Sequence, residues 1–267
     1  MSIGDKEKKV LNISDKYQKA YIHPQAEIGK NVEIGPFTTI GPNVKIGDNT
    51  EIGSHVMIQG DTFIGEGNKI YHGASLGISS IKDNKDDYLF IGDNNIIREY
   101  VSIESGSASG NGETKIGNDN MIMAYCHISA NSNLSSNIIM SNATSLGEEV
   151  MVEDHAVIAG MTNVKEHVRI GRIAMVGAHS NVLKDIPPYI IVDGHPGQVS
   201  GINIIGLRRN EMKPAVRKEI KRAYKILYRS DLDINEAIIE MDNKLNADQE
   251  IEHFLRFLRN VKRGICR

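Results

Sequence analysis

Nine histidines stand in this 267-residue chain, and histidine is the side chain best suited to take and return protons near neutral pH. His167 has a carboxylate at an instructive distance, because Glu149 precedes it by eighteen residues. Where eighteen residues make one turn of a coiled backbone, such side chains stack about 4.8 Å apart, and the carboxylate can orient the imidazole or pair with it. That arrangement suits a relocated general base, and equally a surface ion pair. His155 and His179 share the repeat position of His167 but fall on other faces, where a satisfied surface histidine is the simpler reading. No P-loop, no GxGxxG after a strand and no Ser/His/Asp elbow offers a competing chemistry. Cys126 and Cys266 have neither CxxC nor Cys/His spacing for zinc, so no metal and no cofactor is expected.

The element that must position these groups is a six-residue repeat. From residue 22 every sixth residue is aliphatic: Ile22, Ile28, Ile34 and so on to Ile70 and Leu76. The register breaks over 77–90, resumes at Ile91, Ile97 and Ile103, and breaks again over 104–115. It then holds from Ile116 to Val182. Helical spacing would scatter these residues around an axis, and a flat strand gives no reason for a small residue after each aliphatic. A short strand followed by a corner does, and three hexads close a triangular coil: a hexapeptide parallel β-helix. About eight coils give a prism on the order of 40 Å tall. Its narrow aliphatic lumen accounts for the absence of Trp.

Pro187 and Pro188 cannot continue a strand ladder, and the period then becomes helical. Val216, Ile220, Ala223, Tyr224 and Leu227 mark one helix, Asp233 to Leu245 a second, and Ile251, Phe254, Leu255, Leu258 and Val261 a third. The expected organisation is an N-terminal extension over 1–19, a β-helix over 20–190 and a helical domain over 191–267. Charge divides along the same line. Residues 1–206 carry 16 Lys/Arg against 24 Asp/Glu, and residues 207–267 carry 15 against 10. Arg217, Lys218, Lys221, Arg222 and Lys225 crowd one helix, either as a solvated face or as a docking surface for an acidic carrier. The net charge of −3 argues against a nucleic-acid coat. No apolar run approaches the ~18 residues of a membrane span, and the charged start MSIGDKEKK has no following apolar run of signal-peptide length, so no signal peptide is expected there. With only two cysteines, too few for a disulfide framework, a cytoplasmic location is expected.

The segments DIPPYIIVDGHP, GINIIGLRRN, KRAYKILYRS and FLRNVKRG, with the interrupted hexads and GDNNIIREYVSIESG, resemble the acyl-carrier-protein-dependent UDP-N-acetylglucosamine O-acyltransferases of lipid A synthesis. The resemblance spans residues 20–267. It implies left-handed coils, a homotrimer with sites between subunits, and transfer of a 3-hydroxyacyl chain from the carrier's thioester to a sugar hydroxyl. The family's base lies in a segment of the form NAHIAHD, which reads AYCHISAN here: the first histidine is His127, the base position is Ala130 and its orienting partner Asn131. The family's Gly-His pair, whose glycine amide serves the oxyanion, falls on Glu148 and Glu149. Its His-Gln pair falls on Lys165 and Glu166, and a further histidine on Glu104. His127, whose column continues as Ser145 and Asn163, joins His167 as a candidate base.

The resemblance also assigns Asn203, Arg208 and Arg209 to substrate binding, where guanidinium groups hold phosphate or carboxylate oxygens. Ile205 and Asn210 replace two further polar residues of that pattern. Two alternatives remain beside the acyl-carrier-dependent transferase: a transferase using another donor such as acetyl-CoA, and a catalytically impaired paralogue that binds the sugar nucleotide or the carrier.

Overall fold

Each hexad contributes a two-residue strand with one side chain outside and the next inside, as the pleat requires. The computed structural model describes residues 19–78 and 87–267, so most of the N-terminal extension and the centre of the first excursion lie outside the described residues. Twenty-five short parallel strands, from Tyr21–Ile22 to Asn181–Val182, build three sheets in strict rotation. The coil is a left-handed parallel β-helix. The eighteen-residue register is explicit: Ile22 pairs with Ile40, Ile128 with Leu146 and Val164 with Val182. The inward aliphatics fill the lumen, and Ile40, Ile58, Leu76, Ile128 and Leu146 are fully buried.

The corners need residues that accept a left-handed backbone. Asn31, Asn49, Asn94, Asp119 and Asn137 turn the corner from the second to the third sheet at φ between 55° and 60°, where Asn and Asp are the least costly non-glycine residues. Inside that corner runs a buried ladder of Asn68, Asn95 and Asn120. The Asn95 amide donates to the Gly117 carbonyl at 2.9 Å, and its oxygen accepts from the Asn120 N–H at 3.0 Å.

Both excursions leave from the corner between the first and second sheets, and they are shorter than the broken repeat suggests. Ser75–Ile78 and Tyr88–Ile91 are strands at the edges of the first, and Ser102–Glu104 and Glu113–Ile116 are strands at the edges of the second. The reason is pairing, since Tyr88–Ile91 lies in register with both Asp61–Ile64 and Glu113–Ile116. Past the prolines, Ile190–Asp193 and Gln198–Ile202 form a hairpin that extends the third sheet. The helical segment therefore starts at Ile204: α1 (Ile204–Arg209), α2 (Pro214–Tyr228), α3 (Ile234–Lys244) and α4 (Gln249–Arg259). Val261 lies just beyond α4, and Asp233 caps α3 with a reciprocal Glu236 bond.

The largest buried aromatics sit where the helices close the prism. Tyr189 stacks on Phe254, the Arg169 guanidinium lies 4.0 Å over the Phe257 ring, and Arg172 pairs with Glu250 at 3.0 Å. The Tyr189 hydroxyl donates to Glu250 at 2.6 Å, and burial pushes its pKa far above the ordinary phenol range. Cys126 and Cys266 are buried, which raises both thiols to about 11. Since the thiolate is the nucleophile, iodoacetamide at neutral pH is expected to leave the native protein unmodified and to label both cysteines after guanidinium unfolding. Intact mass reads the result, and a native adduct would contradict this packing.

Candidate active site

The outer face of the first sheet carries a polar cluster near the base position of the family pattern. Ser102 lies in register with His127, and Ile103 with Ile128, across adjacent strands. The pleat sends Ser102 and Glu104 outward from one strand, and His127 and Ser129 from the next. His127 is half-buried, with Nδ1 2.7 Å from the Ser102 hydroxyl and Nε2 3.0 Å from the Ser129 hydroxyl. Below it the column continues through Ser145 and Asn163. Ser102 and Ser129 are members of this cluster that the sequence reading does not single out. The link from Ser102 to His127 spans the second excursion, so the two are 25 residues apart instead of eighteen.

Ala130 is buried at the corner, and its N–H donates to Glu104 Oε2 at 3.0 Å. Asn131, also buried, holds the loop 105–112. Its oxygen accepts from the Ser107 N–H at 3.0 Å and the Gly112 N–H at 3.2 Å, and its amide donates to Ser107 Oγ at 2.9 Å and Glu148 Oε1 at 3.1 Å. The Ser107 hydroxyl donates to the same Glu148 oxygen, as does that of Ser109. A Cβ on Gly106 would stand 1.9 Å from the Gly112 carbonyl carbon, so the neck of the loop closes only on glycine. The corner that holds a histidine–aspartate pair in the family pattern is here a clasp.

The clasp is expected to be sensitive to acid. The Ser109 hydroxyl foremost, then Ser107 and Asn131, hold the Glu148 carboxyl below its ordinary value against the opposing effect of burial. A carboxyl depressed in the folded state contributes stability that is complete above the ordinary glutamate range and is lost as pH falls through the depressed value. Hydrogen exchange at 105–112 is therefore expected to accelerate, beyond its intrinsic pH dependence, as pH falls below about 4. Protection in Glu148→Gln that falls with pH as steeply as in the parent would contradict this assignment.

The structure does not bring the other candidate residues into this cluster. His167 lies two coils further on, on the corner, where Nδ1 meets Glu149 Oε2 at 3.0 Å. The stacking expected from the eighteen-residue spacing is present, but the pair is exposed, with side chains 48% and 39% accessible. Lys165 pairs with Glu166 at 3.5 Å, and Arg263 reaches the Glu166 carbonyl at 3.1 Å. Asn203 is buried at the start of α1, accepting from the Gly206 N–H and donating to the Ile173 carbonyl, both at 2.8 Å. Its amide thus anchors α1 to the last coils. Arg208 and Arg209 are exposed in the last turn of α1, and neither forms an ion pair among the described residues. Nearby, Ile202, Ile204, Tyr224, Lys221, Lys225 and Arg229 line a cleft of about 280 Å³. Among the described residues no three His, Cys, Asp or Glu side chains cluster to hold a metal ion, and no helix is long and apolar enough to cross a membrane.

Comparison with known proteins agrees with the fold. Residues 25–60 match the bacterial transferase hexapeptide family, and residues 185–266 match domain 2 of the UDP-N-acetylglucosamine O-acyltransferases. An acyl-[acyl-carrier-protein]–UDP-N-acetylglucosamine O-acyltransferase of Myxococcus xanthus is 40% identical over 93% of this chain and 97% of its own. That of Halorhodospira halophila is 40% identical over 94% and 98%. The solved structure of a UDP-N-acetylglucosamine acyltransferase from Bacteroides fragilis superposes with a TM-score of 0.91 at 39% identity, covering 94% of this chain and 99% of the other. On sequence and structure together, the chain belongs to the acyl-[acyl-carrier-protein]–UDP-N-acetylglucosamine O-acyltransferase family.

Proposed function

We propose that this protein transfers a 3-hydroxyacyl group from the thioester of acyl carrier protein to a hydroxyl of UDP-N-acetylglucosamine or a related nucleotide sugar, in the cytoplasm and as part of lipid A synthesis. The observation that carries the reading is full-length similarity to named O-acyltransferases, which extends through the C-terminal domain. His127 is the general base: Ser102 orients the ring from Nδ1, and Nε2 takes the proton of the attacking hydroxyl. The thioester carbonyl becomes a tetrahedral oxyanion, then the C–S bond breaks and the thiol leaves with a proton. Exchanging glycine for Glu148 changes a side chain and leaves the backbone N–H in place, so that amide still serves as an oxyanion donor. Arg208 and Arg209 meet the diphosphate, and the exposed lysines of α2 meet the acidic carrier.

The active form is a homotrimer. Phe37, His55, His72, Tyr100 and Tyr125 form a ladder of rings 5.0–5.3 Å apart along the corner between the third and first sheets. Tyr125 is 64% exposed and Met161, further along the same corner, 63%. Apolar surface of this kind supports packing against another copy.

Ala130 and the clasp at Asn131 favour a second reading, in which the protein binds the sugar nucleotide or the carrier without turnover. Incubation with UDP-N-acetylglucosamine and 3-hydroxyacyl carrier protein, followed by mass spectrometry, separates the two. Acyl-sugar formation is the expected result. Binding of UDP-N-acetylglucosamine without product from this donor or from acetyl-CoA would establish the second reading.

A further inference from the structure

At the family's base position this chain has Ala130, a buried residue whose side chain accepts no proton. The remaining imidazole, His127, stands just before it on the outer face of the first sheet. Where the family segment reads His-Ile-Ala-His, this chain reads His127-Ile128-Ser129-Ala130, so the stretch that loses a histidine gains a hydroxyl between the remaining ring and the base position. A general base must lie within about 2.6–3.2 Å of the group whose proton it takes, or reach it through one bridging molecule of water. Ser129 Oγ lies 3.0 Å from His127 Nε2. A serine hydroxyl therefore stands where such a bridge would, on the nitrogen that the reacting proton must reach.

The other side of the ring sets the direction of this bond. A neutral imidazole has one donor and one acceptor nitrogen. Placing the proton on Nδ1, where Ser102 Oγ accepts it at 2.7 Å, leaves Nε2 to accept from the Ser129 O–H. A hydroxyl has two lone pairs beside its proton, so Ser129 can give one proton to the ring and take another at the same oxygen. Its backbone is held on both sides: Ile128 is sealed in the lumen, and the Ala130 N–H is bonded to Glu104 Oε2 at 3.0 Å. Ser129 itself is partly accessible, which an incoming hydroxyl requires.

We propose that Ser129 relays the acceptor's proton to His127, so that a hydroxyl and an imidazole together do the work of the family's base at position 130. The proposal rests on the direct acyl transfer above and deepens it: the proton still ends on Nε2, and Oγ forms no bond to the acyl group. As the acceptor oxygen bonds to the thioester carbonyl carbon, its proton passes to Ser129 Oγ while the Ser129 proton passes to Nε2. When the tetrahedral intermediate collapses, the C–S bond breaks. The Nε2 proton then returns to Oγ, and the Oγ proton goes to the leaving sulfur. Both side chains end as they began. Ser102 is a positioning residue that fixes the tautomer through Nδ1.

Steady-state rates of acyl-sugar formation by the full-length protein, from 3-hydroxyacyl carrier protein and UDP-N-acetylglucosamine in mixtures of light and heavy water, test the relay. Ser129→Ala is expected to lower kcat ~10²-fold, the lower end of what a positioned proton carrier contributes, with KM little changed. Ser129→Thr keeps a hydroxyl and should retain most of the rate. Groups that act as a unit do not lose activity additively, so His127→Ala/Ser129→Ala should be no slower than His127→Ala alone. In the parent, the plot of rate against deuterium fraction should curve, because two protons move in one step, and it should become linear in Ser129→Ala. A merely structural role would leave the shape of that plot unchanged. Thermal melts confirm that each variant is folded. Undiminished kcat in Ser129→Ala, or losses that multiply in the double variant, overturn the relay while leaving the transferase reading intact. A parent that forms no acyl-sugar from this donor or from acetyl-CoA removes the transferase reading, and the relay with it.

Discussion

An alanine in place of His127 is expected to lower acyl transfer ~10²–10⁴-fold, with little change in KM, whereas His167→Ala leaves turnover near that of the parent. The two histidines differ in how firmly they are held. Both ring nitrogens of His127 are hydrogen-bonded to serines of its own sheet, and the ring is half-buried. The His167 ring is held by Glu149 at Nδ1, and both side chains are well exposed. Such a pair contributes about 0–1 kcal/mol, and its ring is free to leave the carboxylate. A base needs one ring orientation, and of these two rings only that of His127 is held at both nitrogens. His127→Gln supplies the control, since an amide can still bond a serine hydroxyl but cannot carry the proton, so it should lose as much activity as alanine. Neither change reaches the lumen, and thermal midpoints should hold. Initial rates of acyl-sugar formation decide the matter; full activity in His127→Ala would remove it as the base.

What the sequence discloses follows from the eighteen-residue turn. The prism, the corner positions and the Glu149–His167 contact all follow from counting, because the repeat is unbroken between residues 116 and 182. Counting fails wherever an excursion intervenes. Ser102 and His127 are 25 residues apart, as are Glu104 and the strand position of Ser129, so no fixed step reveals that they are neighbours. The clasp is hidden for the same reason, since loop 105–112 must fold back before Ser107 can meet Asn131 and Glu148. The family pattern marks Asn131 and Glu148 only as departures, and contact geometry gives them a joint role. Asn203 shows the reverse case: the family pattern assigns it to substrate, while here its amide is engaged in holding α1 against Ile173.

The asparagine ladder escapes the repeat altogether, because Asn68, Asn95 and Asn120 are separated by 27 and 25 residues across the two excursions. Its disruption is expected to have the largest effect on stability. The Asn95 side chain is fully buried and both its ends are engaged. Asn95→Leu keeps the branched outline of the side chain but leaves the Gly117 carbonyl without its donor and the Asn120 N–H without its acceptor. Each orphaned buried group costs about 1–3 kcal/mol, so the variant should lose roughly 2–6 kcal/mol, a large part of the 5–15 kcal/mol typical of a folded domain. The loss should be greater than for leucine at the exposed Asn49, on the outside of the same corner. Because a coil contacts only its neighbours, the defect severs the ladder between the coils of Asn68 and Asn120. The second of these runs directly into His127. Urea unfolding followed by circular dichroism should show a lower midpoint, and acyl transfer should fail at a lower temperature than in the parent. An unchanged midpoint in Asn95→Leu would mean that strand pairing alone holds the corner and that the buried amides add nothing.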